Sequence, residues 1–250
     1  AQSGQGGDAP IKPGFSLCDT WAGLQLLRGL SMALLHRQRT GKGLRVDIAM
    51  LDCAFYMCES PVLEHALTGE FTQRTGNHHA WYAPYGEFAA KDGNIVLAVS
   101  QESEWAALCD ALGTPGLASD PRFADNAARV QNRDALIQEL ERVTGDLGRY
   151  EMETALRKAG VPAAAVQSLQ EFHMQPQTAR LNVITQIEQD GVGAYTVTNT
   201  PIRFSRTPLS PNASAAGHPG EHSREILESL GYAPERVKAL LASGAVHQAG

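Results

Sequence analysis

Apolar residues recur at helical spacing over residues 21–39. Leu24, Leu27, Leu30, Leu34 and Leu35 form one stripe, and Leu26, Met32 and Ala33 fill its sides. Such a helix is apolar over most of its circumference and is predicted to be well buried. Thr40-Gly41-Lys42-Gly43 stops it, with Gly41 just past its C-terminus. Residues 45–50 then read as a short strand. Asp52 stands where it can cap a second helix running to about residue 67, disturbed at Pro61 and closed by Thr68-Gly69-Glu70. Helix, turn, strand and helix with short links predict an α/β layer.

Residues 69–87 keep no clear period. Gly69, Gly76, Pro84 and Gly86 punctuate a stretch holding His78, His79, Trp81, Tyr82 and Tyr85. This predicts a long ordered loop of the functional kind, and a link between two lobes. Lys91-Asp92-Gly93-Asn94 is a turn signal. A strand at 95–99, a helix at 102–112 and a turn at 120–123 follow. Residues 127–143 and 150–159 read as helices, and 161–166 as a short strand opened by Pro162. Residues 183–189 and 194–198 predict a hairpin around Asp190-Gly191. Residues 207–220 read as a second loop, and 223–230 and 234–241 as two final helices, with Pro234 in the first turn of the second. Residues 1–14 are predicted to be irregular, and no internal repeat is visible.

Composition narrows the classes. The 250 residues are 43% hydrophobic and 19% charged, which fits a globular chain with one large domain or two smaller lobes. The net charge is −6 and no basic face stands out, which argues against a nucleic-acid partner. The one basic cluster is His36-Arg37-Gln38-Arg39 with Lys42 and Arg45. It reads either as a phosphate grip or as a solvated helix end suited to the helix dipole. Cys18, Cys53, Cys58 and Cys109 have neither CxxC nor zinc spacing. Most lie among apolar residues, which predicts reduced thiols and a cytoplasmic setting. Asn212-Ala213-Ser214 matches a glycosylation sequon, read as chance. The longest apolar-rich helix is broken by Arg28, Gly29 and Ser31, so no membrane span is expected.

Candidate chemistry is sparse. The chain has no GxSxG elbow, no HExxH, no P-loop and no glycine fingerprint of a nucleotide fold. Asp19 is the carboxylate of interest, in Leu17-Cys18-Asp19-Thr20-Trp21-Ala22-Gly23 just before the apolar helix. It reads as a helix N-cap. Taken alone the residue favours that structural reading; a carboxylate at a helix start can also be a held, ionised nucleophile. Spacing does not separate the two.

This segment resembles that of the family III (formyl-CoA transferase-like, CaiB/BaiF) CoA-transferases, in which an aspartate is followed a few positions on by glycine. The similarity continues unbroken through Met32-Ala33-Leu34-Leu35-His36-Arg37-Gln38-Arg39-Thr40-Gly41-Lys42-Gly43 and Val46-Asp47-Ile48-Ala49-Met50-Leu51-Asp52. Gly76-Asn77-His78-His79 and Ala83-Pro84-Tyr85-Gly86 are similar to the family's loop between lobes. Asp92-Gly93, Asp120-Pro121-Arg122-Phe123, Asn132-Arg133, Ala159-Gly160-Val161-Pro162, Pro201-Ile202-Arg203-Phe204 and Gly220-Glu221-His222 follow in family order. Each motif is weak; their order and spacing together are specific.

The resemblance implies that the carboxylate of Asp19 attacks a donor acyl-CoA thioester. An acyl–aspartyl anhydride and then an aspartyl-CoA thioester would form before CoA passes to an acceptor carboxylic acid. It implies that Met50 lines the CoA site and that Gly76, Asn77 and His78 form a loop approaching the thioester. Met50 reads otherwise as a core residue ending a strand, and the loop as a plain linker turn. His79 stands where many relatives have proline. His222 reads as helix-start packing. Gln101 and Glu102 read as an ordinary helix start, although racemase relatives carry a functional glutamate there.

No tightly bound cofactor is implied; the CoA thioester is a substrate. The fold implied is α/β, a partial large lobe plus a smaller α+β lobe. Residues 1–68 belong to the large lobe, 69–89 to a linker, 90–185 to the small lobe, and 186–250 to the return into the large lobe. In relatives the aspartate lies over a hundred residues into the chain. The expectation is therefore a fragment, a partner of a separate N-terminal half or a truncated protein, with little transferase activity alone and with apolar surface exposed. A homodimer or a pairing with such a half is the implied assembly. A CoA-thioester racemase or isomerase of the same superfamily, and a non-catalytic subunit, are the alternative functions.

Overall fold

The computed structural model describes residues 3–4, 7–71, 73–189, 191–207, 209 and 217–249. The chain divides into two compact units, residues 1–166 and 167–250.

The first unit opens with three helices: α1 (Leu17–Thr40), α2 (Met50–Tyr56) and α3 (Glu59–Thr68). Gly41 ends α1 in the left-handed conformation, its N–H donating to the Arg37 carbonyl at 2.8 Å. The helix has the predicted extent but not the predicted burial. Of its 24 residues only Ala22 is buried, while Leu24, Leu27, Leu30 and Leu34 are about half exposed or more. An apolar helix is buried only where other elements cover it, and here α2 packs along it. Residues 42–49 are extended but form no strand, because no second strand pairs with them among the described residues. They run close under α1: a Cβ on Gly29 would lie 2.7 Å from Val46 Cγ1.

Asp52 does not cap α2. Ala49 occupies that position and Asp52 sits in the first turn. The break before α3 falls at Met57 and Cys58 rather than at Pro61, which lies in the first turn of α3, where a missing N–H costs nothing.

The rest of this unit holds the core. It comprises β1 (Tyr85–Ala90), β2 (Gly93–Ala98), α4 (Glu102–Ala111), α5 (Pro115–Ala118), a 3-10 turn (Pro121–Phe123), α6 (Asn126–Gln131), α7 (Arg133–Thr144), α8 (Arg149–Lys158) and β3 (Ala163–Ala165). The sheet is antiparallel in the order β1-β2-β3, and the Lys91-Asp92 turn joins its first two strands with Ala90 opposite Gly93. Residues alternate across the sheet, so Phe88, Ile95 and Leu97 fall on the covered face. Leu108 of α4, Leu136 and Leu140 of α7, and Met152 and Leu156 of α8 close over them. Strand β1 was not expected; it crosses the predicted linker boundary at residue 89. The helix expected over residues 127–143 is divided at Asn132, whose side-chain amide donates to the carbonyls of Arg122 at 3.1 Å and Ala128 at 2.9 Å.

The second unit contains α9 (Leu169–Met174), α10 (Pro176–Leu181), β4 (Ile184–Gln189), β5 (Gly193–Thr198), α11 (Ser223–Ser229) and α12 (Pro234–Ala242). Helix α9, unpredicted, starts on a capping box in which Ser168 and Glu171 satisfy each other's amides. The predicted hairpin is present, Ile187 opposite Tyr195, although Asp190 of its turn lies outside the described residues. So does the sequon Asn212-Ala213-Ser214 and most of the loop expected over 207–220. The predicted lobe boundary at residue 185 falls inside β4.

Candidate functional site

Asp19 is the third residue of α1, so it lies in the first turn rather than at the cap. Ser16 holds the cap position and makes no side-chain capping bond. The amides of Leu17 and Thr20 donate to the carbonyls of Phe15 and Ser16. Those of Cys18 and Asp19 find no acceptor among the described residues. The Asp19 side chain is exposed, and no hydrogen bond or ion pair reaches it among the described residues. An exposed carboxylate thus stands beside unsatisfied N–H groups at the positive end of a long helix.

Met50 is the first residue of α2 and is 56% exposed, so it is not the core residue ending a strand. A groove of about 380 Å³ runs between α1 and the following segment, lined by Gln25, Arg28, Asp47, Asp52, Cys53 and Tyr56 among others. The basic cluster at the end of α1 is solvated, and Arg45 pairs with Asp47 at 2.8 Å.

Gly76, Asn77 and His78 come together against β1. Gly76 has a positive φ of 64°, and its N–H donates to the Gly4 carbonyl at 3.1 Å. The Asn77 carbonyl accepts from the Glu87 amide at 3.2 Å, and its side chain donates to the Glu87 carboxylate. His78 bridges to Gly86, and its ring meets Phe88 edge-on with centroids 5.3 Å apart. Gly86 is required there: φ is 156°, and a Cβ would collide with the His78 ring and lie 2.8 Å from its Cα. Asn77 and His78 line a cavity of about 210 Å³ with Glu87, Asn94 and Glu141. Among the described residues no hydrogen bond or ion pair joins Asp19 or Met50 to this loop.

The stretch after the loop is held from one side. Asn126, at the start of α6, accepts from the Ala83 amide at 3.2 Å and donates to the Trp81 carbonyl at 2.8 Å. Arg129 Nε donates to the Ala83 carbonyl at 2.7 Å. One terminal nitrogen of Arg133 donates to both the His79 and Ala80 carbonyls, each at 2.8 Å. Asn126 and Arg129 stand on α6 and Arg133 on α7, and all three reach residues 79–83. No local pattern marks them in the sequence, where Asn132-Arg133 stands only as a motif in family order.

The two arginines differ in charge balance. Arg129 is 1% exposed and forms a two-pronged pair with Glu102, at 2.8 and 2.9 Å, while lying over the Trp105 ring at 5.1 Å. The Arg129 hydrogen bond holds the Glu102 carboxyl below its usual range. Arg133 makes no ion pair among the described residues, and its Nε is buried without a partner. Burial first, and then the Arg133 charge, lower the pKa of both His78 and His79. Neutral His79 accepts the Trp81 amide on Nδ1 at 3.1 Å, which places its proton on Nε2.

Gln101 and Glu102 do start α4, with Gln101 and Glu104 closing a capping box. His222 stands at the cap of α11, exposed and 4.0 Å from Glu225. The cysteines are free; Cys53 and Cys109 are buried and Cys18 is exposed. Burial pushes the Cys109 thiol up to about 11, which leaves it inert at neutral pH. Among the described residues no His, Cys, Asp and Glu cluster could hold a metal ion, and no helix is long and apolar enough to cross a membrane.

The sequence model of CoA-transferase family III matches residues 1–223. A succinyl-CoA:mesaconate CoA-transferase of Haloarcula hispanica is 33% identical over 230 residues, 92% of this chain and 57% of that protein. An acetyl-CoA:oxalate CoA-transferase of Acetobacter aceti is 35% identical over 179 residues, 72% of this chain and 46% of that protein. The crystal structure of a CAIB/BAIF family protein from Brucella suis matches with a TM-score of 0.75 at 32% identity, covering 91% of this chain and 59% of its own. The chain thus has the same fold, and spans about half the length of these relatives.

Proposed function

The chain belongs to CoA-transferase family III, and from that membership we propose that it carries the acyl-accepting carboxylate, Asp19, of a CoA transfer between an acyl-CoA thioester and a carboxylic acid. The observation that carries this reading is the setting of Asp19. Its side chain is exposed in the first turn of a 24-residue helix, beside two backbone amides that lack acceptors among the described residues.

Carboxylates ionise well below neutral pH, so no general base is needed to make the nucleophile. Attack of an Asp19 oxygen on the thioester carbon gives a tetrahedral oxyanion. Collapse expels CoA thiolate and leaves an acyl–aspartyl anhydride. The thiolate returns to the aspartyl carbonyl, releasing the donor acid and leaving CoA on Asp19 as a thioester. The acceptor carboxylate attacks that thioester, and CoA then moves to the acceptor acyl group, regenerating Asp19. The thioester energy is conserved because no step consumes water. Free N–H groups at the helix start suit stabilisation of each oxyanion.

Met50, exposed on α2, is read as a CoA contact, and Gly76, Asn77 and His78 as the loop that approaches the thioester. The exposed apolar face of α1 to α3 supports action within a larger assembly, a homodimer or a pairing with an N-terminal half, in the cytoplasm. A racemase reading is weakened by Glu102, whose carboxylate is committed to Arg129.

The test uses the protein at its natural length, succinyl-CoA as donor and hydroxylamine as trap. Mass spectrometry should find the hydroxamate on Asp19, and Asp19→Asn should abolish both the label and acyl exchange. A label on another residue, or transfer retained in Asp19→Asn, would overturn the assignment.

A further inference from the structure

The loop Gly76–His79 is tied to β1 by the Glu87 amide to the Asn77 carbonyl at 3.2 Å and the His79 amide to the Tyr85 carbonyl at 2.7 Å, and makes few bonds within itself. Its internal bonds are the His78 amide to the Thr75 carbonyl at 3.2 Å and the Thr75 hydroxyl to the His78 carbonyl. Its exit is gripped from α6 and α7 by Asn126, Arg129 and Arg133. Arg129 is fully engaged with Glu102, Ala83 and Phe123, and its place in the core explains its burial. Arg133 is different. It is half buried, its charge has no carboxylate partner among the described residues, and the two hydrogen bonds it makes go to consecutive backbone carbonyls of the loop exit. Solvated arginines do not hold such a position without return; burying an unpaired guanidinium is costly.

We infer that Arg133 is the positioning residue of the Gly76–His79 loop, fixing the carbonyls of His79 and Ala80 so that the loop keeps one orientation against β1. This rests on the reading of that loop as the part approaching the acyl-CoA thioester. Arg133 touches no reacting atom; it acts through the loop. A charge left unneutralised beside His78 and His79 also disfavours their protonation, and a neutral pair suits a site that must leave a carboxylate nucleophile unpaired. The charged groups that bear on His78 are Arg133, Glu87, Glu141 and Asp134, and on His79 Arg133.

The experiment uses Arg133→Gln and Arg133→Lys in the natural-length protein. Hydrogen exchange of the peptide spanning residues 76–82 should quicken roughly tenfold or more in Arg133→Gln, with distant amides unchanged. Arg133→Lys keeps the charge but not the planar geometry, so exchange should quicken less. Imidazole titration by NMR should move up for His79 in Arg133→Gln and stay near the wild-type value in Arg133→Lys. The KM for succinyl-CoA should rise several-fold while kcat changes little. Wild-type exchange in a folded Arg133→Gln, or in Arg133→Lys where the glutamine variant fails to fold, overturns the proposal. Unchanged imidazole titration in Arg133→Gln overturns it as well. If the variants loosen the loop while the wild type forms no Asp19 hydroxamate, the transferase reading fails and the positioning role stands. If Asp19 labels normally while loop exchange does not respond, the positioning role alone falls.

Discussion

Residues 17–68 and residues 85–158 are both built from apolar-rich segments at regular spacing, and they end in opposite states. In the second region Phe88, Ile95, Leu97, Leu108, Leu140 and Leu156 are at most 1% exposed. In the first, Leu24, Leu27, Met32, Leu34, Leu51 and Leu63 are each more than half exposed. The helices of both regions form, so local pattern is sufficient for the element. Burial depends on a second layer, and the sheet β1-β2-β3 supplies one only to α4, α7 and α8. Helix α1, apolar nearly all round, has α2 as its packing neighbour. The candidate nucleophile stands on the uncovered region, and the loop read with it is anchored to the covered one.

The sharpest way to break this comparison is to truncate one side chain from each region. Phe88→Ala should cost about 3–5 kcal/mol, from transfer and cavity together. Leu34→Ala, 63% exposed, should cost about 0.5 kcal/mol or less in the same urea titration. Equal costs would mean that α1 is covered after all. A smaller effect is expected where the covered region grips the loop. Arg129→Met removes a buried cation from the Glu102 carboxylate and from the carbonyls of Ala83 and Phe123. It should cost about 3 kcal/mol, with protection lost first at residues 81–84. The smallest effect is on pH dependence. The Glu102 carboxyl is held below its unfolded value of 4.5 by the Arg129 hydrogen bond. Its contribution to stability is therefore whole above that value and is lost as pH falls through its lower folded value. Unfolding free energy against pH should drop less steeply in this acid window for Glu102→Gln than for the wild type. Near neutral pH the variant should be modestly weaker.

What could be read from the amino acids follows the same division. Helix α1, the β1-β2 turn, strand β2, helix α8 and the hairpin β4-β5 were readable because each announces itself locally, by spacing or by a glycine turn. Strand β1 was not, since Tyr85-Gly86-Glu87-Phe88 carries a glycine whose reason is a neighbour, His78, that only the fold brings near. The strand expected at 45–50 failed for the converse reason: its residues favour extension, and no strand pairs with them among the described residues. At the site, Asp19 was readable only as a candidate, through its segment's resemblance to the family, and residues 69–87 only as a loop, from their lack of period. Arg129 and Arg133 were not, because they act on carbonyls some fifty residues away, where no local pattern marks them.

That distance has a consequence for how the protein is made. The bonds that α6 and α7 make to residues 79–83 come from partners 43 to 54 positions later in the chain. During synthesis α1 can coil as soon as it emerges. The loop acquires its form only once α7 has left the ribosome and docked on the sheet. The leucines of α1 stay exposed after that docking, so a chaperone or a partner subunit can recognise the helix from the moment it coils.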